Sequence, residues 1–280
     1  MVLEAFISPF RAEKRPMALL FIGFFYTIIA LLFSYWVFKQ HAGIVSILFI
    51  VIASLPLIYK TTRLEEEKDV VLESESSILR EHARAINFFF FLFLGITIGY
   101  TTWYLLMPQQ IVEQTFSIQL ETIATINGAS ISKIFIFQKI FFNNIKVLTF
   151  CLLFSFFYGA GAIFVLAWNA SVIAVAIGAF FRKTIAQYAH IVGGPSTAIQ
   201  VQVLSISLLR YSIHGIPEIF AYFVAGLAGG ILSFAVVKHD LRSARFEKIL
   251  LDVSDLLLIA LFLVFTAALL ETFVTPLFFS

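Results

Sequence analysis

Residues 147–237 carry only four charged side chains: Arg182, Lys183, Arg210 and Glu218. Apolar runs of about 20 residues are the length of a membrane-crossing helix. A chain dominated by them has few ways to fold. Soluble domains run to about 25 % charged residues; this chain has 13 % charged and 60 % hydrophobic residues, with a mean hydropathy of +0.97. The sequence therefore specifies an all-α, polytopic transmembrane helical bundle and excludes a water-soluble core. The lipid bilayer is its first partner. A net charge of +2 is too small to point to nucleic acid. The single cysteine, Cys151, excludes an internal disulfide framework and a cysteine-based metal cage.

Hydropathy places spans at residues 17–38, 42–59, 86–107, 147–168, 216–237 and 256–278. The first follows Arg11, Lys14 and Arg15 as a leader would. It is longer than the roughly 7–15-residue apolar stretch of a signal peptide, and it runs into the interfacial pair Tyr35-Trp36. It reads as a retained helix, preceded by an interfacial helix over residues 1–15 with Leu3, Phe6, Ile7 and Phe10 on one face. Residues 60–84 hold seven of the 17 acidic residues and a narrow seam of Leu64, Val71 and Ile78. They predict a solvated helix, either a simple linker or a docking surface for a cytosolic partner. Residues 109–142 are amphipathic, with an Asn127-Gly128 turn, and belong on the membrane surface or against the bundle.

Residues 171–213 are ambiguous. Ser171 to Phe181 gives only eleven apolar residues before Arg182-Lys183, and Gly193-Gly194-Pro195 breaks the chain again. Runs of about 10–14 residues are more often re-entrant or buried than spanning. The stretch suits a re-entrant hairpin of two half-helices, leaving six or seven spans. Lys and Arg placement puts the N-terminus in the cytoplasm of a multi-pass cell-membrane protein. With seven spans the cytoplasmic side gathers twelve of the 19 basic residues; with six and a hairpin it gathers eleven. The chain divides into an N-terminal part, 1–85, and a transmembrane core, 86–280.

Ionisable groups inside the bilayer cost roughly 2.5–3.5 kcal/mol on insertion scales and mark functional candidates. Arg210, His214 and Glu218 fall at i, i+4, i+8, and Pro217 interrupts them. Proline removes an N–H and disfavours helix at the preceding residue, so a break at Gly215-Ile216 is expected, with Glu218 in the first turn of the next helix. Glu271, near the end of the last span, is a second intramembrane carboxylate and should face this cluster if buried. Asn143, Asn144 and Asn169 at span ends are candidate polar contacts between helices. Gly159, Gly161, Gly215, Gly226, Gly229 and Gly230 are candidate sites of close backbone approach, within the chain or across a homodimer, as is the pair Gly95/Gly99.

Together these pieces resemble the stage II sporulation protein M-like membrane proteins. The resemblance is carried by Asn143-Asn144, Gly159-Ala160-Gly161, Asn169, Gly178-Ala179, the string His214-Gly215-Ile216-Pro217-Glu218, Ala225 to Gly229, and Glu271 with Thr275-Pro276. It covers roughly residues 86–280, and the His-Gly-x-Pro-Glu string is its most specific part. The resemblance implies a non-catalytic membrane component of a complex. The family's named member holds peptidoglycan-degrading partners in the membrane, and relatives occur widely in prokaryotes that do not sporulate.

Three functions remain open on sequence. The first is a membrane scaffold that binds other membrane or membrane-associated proteins and needs no cofactor. The second is a permease or channel-like protein using His214, Glu218 and Glu271 as a proton or ion site. The third is a zinc hydrolase with His214 and Glu218 at ligand spacing and His190 or Glu271 as a third ligand. No catalytic residue or metal ligand is assigned, since neither a Gly-x-Ser-x-Gly elbow nor a paired intramembrane Asp motif is present.

Overall fold

A computed structural model of the chain describes residues 16–71, 78–126, 132–155, 160–192, 196–238 and 241–279. Every regular element among them is helical. In order they are α1 (Pro16–Phe38), a 3-10 turn (Lys39–His41), α2 (Ala42–Val71), α3 (Ile78–Leu106) and two short helices, α4 (Gln109–Thr115) and α5 (Ser117–Ile126). Then come α6 (Lys133–Ser155), α7 (Ala160–Val192), α8 (Thr197–Lys238), α9 (Ala244–Leu269), a π-turn (Leu270–Val274) and α10 (Thr275–Phe279). Among the described residues, six helical stretches are long and apolar enough to cross a membrane, the first being the whole α1–α2 hairpin, Met17–Thr61. The expected interfacial helix at 1–15 and the Asn127-Gly128 turn lie outside the described residues, as do most side chains of the acidic segment.

The hairpin turns at Lys39, whose φ of 34° is in the left-handed region that ends helices. Twenty-three residues of α1 rise about 35 Å, enough for a hydrocarbon core of roughly 30 Å. Its Phe21, Phe25 and Ile29 are exposed on one side while Leu19, Thr27 and Leu31 are buried on the other. That is the pattern of a helix packed on protein along one face and on lipid along the other. The buried face lies on α3 at backbone distance. A Cβ on Gly95 would overlap the backbone of Leu20, one on Gly23 would overlap the carbonyl of Leu92, and one on Gly99 would come within 2.7 Å of Thr27 Cβ. Gly95 and Gly99 thus serve a contact within the chain.

Helices α4 and α5 pack back on the bundle. Tyr35 Oη donates to Gln114 Oε1 at 3.2 Å, and Gln119 Nε2 donates to Ser171 Oγ at 3.2 Å. The core helix is α8, in which every residue from Ala221 to Ile231 is buried.

Two sequence expectations are corrected here. The span expected at 147–168 falls on the end of α6, described to Ser155, and the start of α7, described from Ala160, with residues 156–159 outside the described residues. The half-helices expected over 171–213 are the ends of helices of 33 and 42 residues. Arg182, which made the first half look short, is instead drawn into the bundle as a clamp on α3. Its Nη2 donates to the carbonyls of Tyr104, Leu105 and Met107, and its Nη1 to Gln109 Oε1 at 2.7 Å. Its guanidinium also lies over the Tyr104 ring, 5.2 Å from the ring centroid. The last carbonyls of a helix have no partner of their own, and a cation there also suits the helix dipole. One turn earlier, a Cβ on Gly178 would overlap the Tyr104 ring, so this glycine lets α7 approach near enough for the clamp to reach.

Candidate functional site

The break expected at Gly215-Ile216 is absent: α8 runs through Pro217 without interruption. Proline costs about 3 kcal/mol inside an exposed helix, but in membrane bundles the surrounding helices absorb it. The consequence is geometric. With α8 continuous, Arg210, His214, Glu218 and Tyr222 form one stripe at four-residue spacing.

A matching stripe lies on the C-terminal end of the chain. Glu271, Thr275 and Phe279 also follow one another at four-residue spacing. The two stripes meet in opposite order. Arg210 Nη1 donates to the Phe279 carbonyl at 3.4 Å, and the His214 Nδ1 and Thr275 Oγ1 atoms hydrogen-bond at 3.1 Å. The Glu218 and Glu271 carboxyls come within electrostatic reach of each other. The π-turn carries Glu271 and hands the chain to Thr275, whose N–H bonds to the Leu270 carbonyl. Such π-turns inside helices are frequent at functional sites.

Helix α6 closes the third side. Asn144 is buried beside Glu218, but its amide nitrogen reaches no acceptor in hydrogen-bond geometry. Tyr222 Oη donates to Glu218 Oε1 at 2.9 Å. Cys151, a buried free thiol, lies within electrostatic reach of that tyrosine. The hydroxyl of Thr272 is also buried without a partner. Both carboxyls are half-buried. Two carboxyls this near each other in an apolar setting need a proton, a cation or hydrogen-bond donors to offset them. On the described residues Tyr222 is the donor in place.

The structure brings together Arg210, His214, Glu218, Glu271 and Asn144. It leaves Asn143, the next residue along α6, exposed. Asn169 donates to the Val165 carbonyl of its own helix at 2.8 Å and takes no part in the cluster. Of the candidate packing glycines, Gly229 fits the role best: a Cβ there would lie 2.6 Å from the Leu152 carbonyl oxygen and 2.8 Å from Ser155 Cβ. Gly226 is tight against Ala162 Cβ at 3.1 Å, and Gly230 is buried. Gly215 is a correction, because a Cβ there would meet nothing within 4 Å. Gly159 lies outside the described residues, and Gly161 is within α7 with its surroundings not described.

Sequence reasoning missed Tyr222 and the pairing role of Thr275. The signal was available in the four-residue register of each stripe, and it was hidden by the assumption that Pro217 ends a helix. Among the described residues no group of three His, Cys, Asp or Glu side chains is placed to hold a metal ion.

These features define a polytopic helical membrane protein with a polar ladder between two of its helices. The family model for stage II sporulation protein M matches residues 88–276, and the chain belongs to that family. The match covers the ladder from Asn144 to Thr275, with Phe279 lying just beyond it. No curated protein and no solved structure matches the chain.

Proposed function

We propose that this protein is a non-enzymatic membrane scaffold, in which the polar ladder latches α8 to the π-turn and α10 that follow α9, so that a fixed surface is offered to partner proteins. The observation that carries this reading is the pairing of the two stripes. Arg210 and His214 find their partners on the facing helix, and Glu218 finds its partner one turn along its own. Side chains satisfied in this way hold helices in register. Interhelical hydrogen bonds in membranes average about 0.6 kcal/mol and reach about 1.7, so the two interhelical rungs are a local lock rather than the main source of stability.

The same proposal places the N-terminus in the cytoplasm of the cell membrane. Short connections between packed helices make antiparallel neighbours. With α1, α2, α3, α6, α7, α8 and α9 alternating in direction, the basic segment 238–248 joins the N-terminus and segment 60–84 on one side. That is the arrangement gathering twelve of 19 basic residues.

The test is Glu218→Gln, which keeps size and removes the charge. The scaffold reading expects a lower unfolding midpoint in detergent, and a reduced set of proteins cross-linked to the chain in its native membrane. An unchanged midpoint together with an unchanged cross-linked set would overturn it.

A further inference from the structure

Beside the ladder, and separate from the carboxyl pair, a cavity of about 630 Å³ opens between α7, α8 and the end of the chain. Its size is within the ordinary range of small-molecule sites, about 300–1,000 Å³. Two cations line it, Lys183 from α7 and Arg210 from α8. No carboxylate lines it among the described residues. Further polar groups come from Thr184, Gln187 and Tyr211. The remaining wall is apolar, with Ile206 and Phe278 among its members.

Arg210 is held in place before any ligand arrives. Its guanidinium lies 5.0 Å from the Phe180 ring centroid and bonds the Phe279 carbonyl. A stacked guanidinium keeps its remaining N–H groups free in a fixed fork. Lys183 is exposed and opposes no acid among the described residues. Two positive charges thus line one cavity, and the Glu271 carboxyl, within electrostatic reach of the lining Tyr211, is not itself part of the lining. Both helices belong to stretches apolar enough to cross a membrane, Ala162–Ala189 and Thr197–Val237. A ligand reaching the cavity from that environment carries an apolar part against Ile206 and Phe278 and an anionic part against the cations.

We propose that this cavity binds the phosphate headgroup of an anionic membrane lipid, with Arg210 and Lys183 as its two cationic contacts. Basic pockets between transmembrane helices recognise phospholipid headgroups by this chemistry, and the Arg fork matches two phosphate oxygens at once. The site shares Arg210 with the ladder, but Lys183 takes no part in it, so the Lys183 variant tests the site apart from the scaffold reading.

The experiment uses the full chain in a nonionic detergent, titrated with dioleoyl phosphatidylglycerol, with its unfolding temperature as readout. Dioleoyl glycerol and inorganic phosphate serve as parallel probes. Phosphatidylglycerol is expected to raise the midpoint saturably, and neither the uncharged lipid nor inorganic phosphate should do so at the same concentration. Lys183→Gln is expected to weaken the lipid about tenfold, the factor that corresponds to one charge-assisted hydrogen bond. Lys183→Gln with Arg210→Gln should abolish saturation. The single variant alters an exposed side chain, so it keeps the test sound if the double variant folds poorly. Wild-type lipid affinity in Lys183→Gln would overturn the proposal. So would an equal midpoint rise with inorganic phosphate or with dioleoyl glycerol.

Discussion

Replacing Arg182 by Met tests whether an intramembrane arginine can be a structural clamp. Methionine keeps much of the side-chain volume over the Tyr104 ring and removes every donor. The carbonyls of Tyr104, Leu105 and Met107 then lose a shared partner, and Gln109 loses the 2.7 Å bond to its side chain. Hydrogen bonds to a charged group contribute roughly 1.5–3 kcal/mol each. The two short carbonyl bonds, to Tyr104 and Met107, alone come to as much as about 6 kcal/mol by that scale. The bonds are only partly buried, so water recovers a share of them. Loss of the cation over the ring adds about 0.5–2 kcal/mol. A net loss of about 3 kcal/mol is expected, measured as the shift in a reversible SDS-driven unfolding curve in mixed micelles. Arg182→Lys should recover part of it, because an ammonium is a point charge and cannot fork across several carbonyls. Lys183→Met, one residue away and exposed, should stay within about 0.5 kcal/mol. If Arg182→Met also stays within that margin, the clamp does not stabilise the bundle and the reasoning fails.

The glycines give a contrast of sign. Gly229→Ala should destabilise by about 1–3 kcal/mol, since its Cβ meets a backbone oxygen that cannot move aside, whereas Gly215→Ala should stabilise by up to about 1 kcal/mol through helix propensity alone. The same unfolding assay reads both, and a destabilised Gly215→Ala would refute the open space drawn around it. Tyr222→Phe should cost about 1–3 kcal/mol, because it strips the Glu218 carboxyl of its hydroxyl donor; equal stability would mean that the bond is not formed. His214→Ala and Thr275→Val should be non-additive in a double-mutant cycle, with a coupling of about 0.5–1.5 kcal/mol. Simple addition would remove that rung from the ladder.

Much of this architecture could be read from residue order, and the failures share one cause. Apolar runs located α1, α3 and α8, and Gly95/Gly99 marked a close helix contact, because lipid exposure and backbone approach leave local signatures. Glu218 and Glu271 were paired on the cost of burying charge, and they do lie near each other. What could not be read was how tertiary contacts overrule local signals. Pro217 and Arg182-Lys183 look like breaks along the chain, yet one is absorbed by its neighbours and the other reaches across to cap α3. Asn143 and Asn144 are identical in kind and adjacent in sequence; only the face that α6 turns inward distinguishes them.

The central claim is that the polar ladder joins helices and does not pass ions. Proton flux into liposomes under an imposed potential, measured for wild type and for Glu218→Gln side by side, tests it most directly. The account predicts that neither protein exceeds protein-free liposomes. A wild-type flux that Glu218→Gln abolishes would contradict it and assign the carboxyl pair to transport.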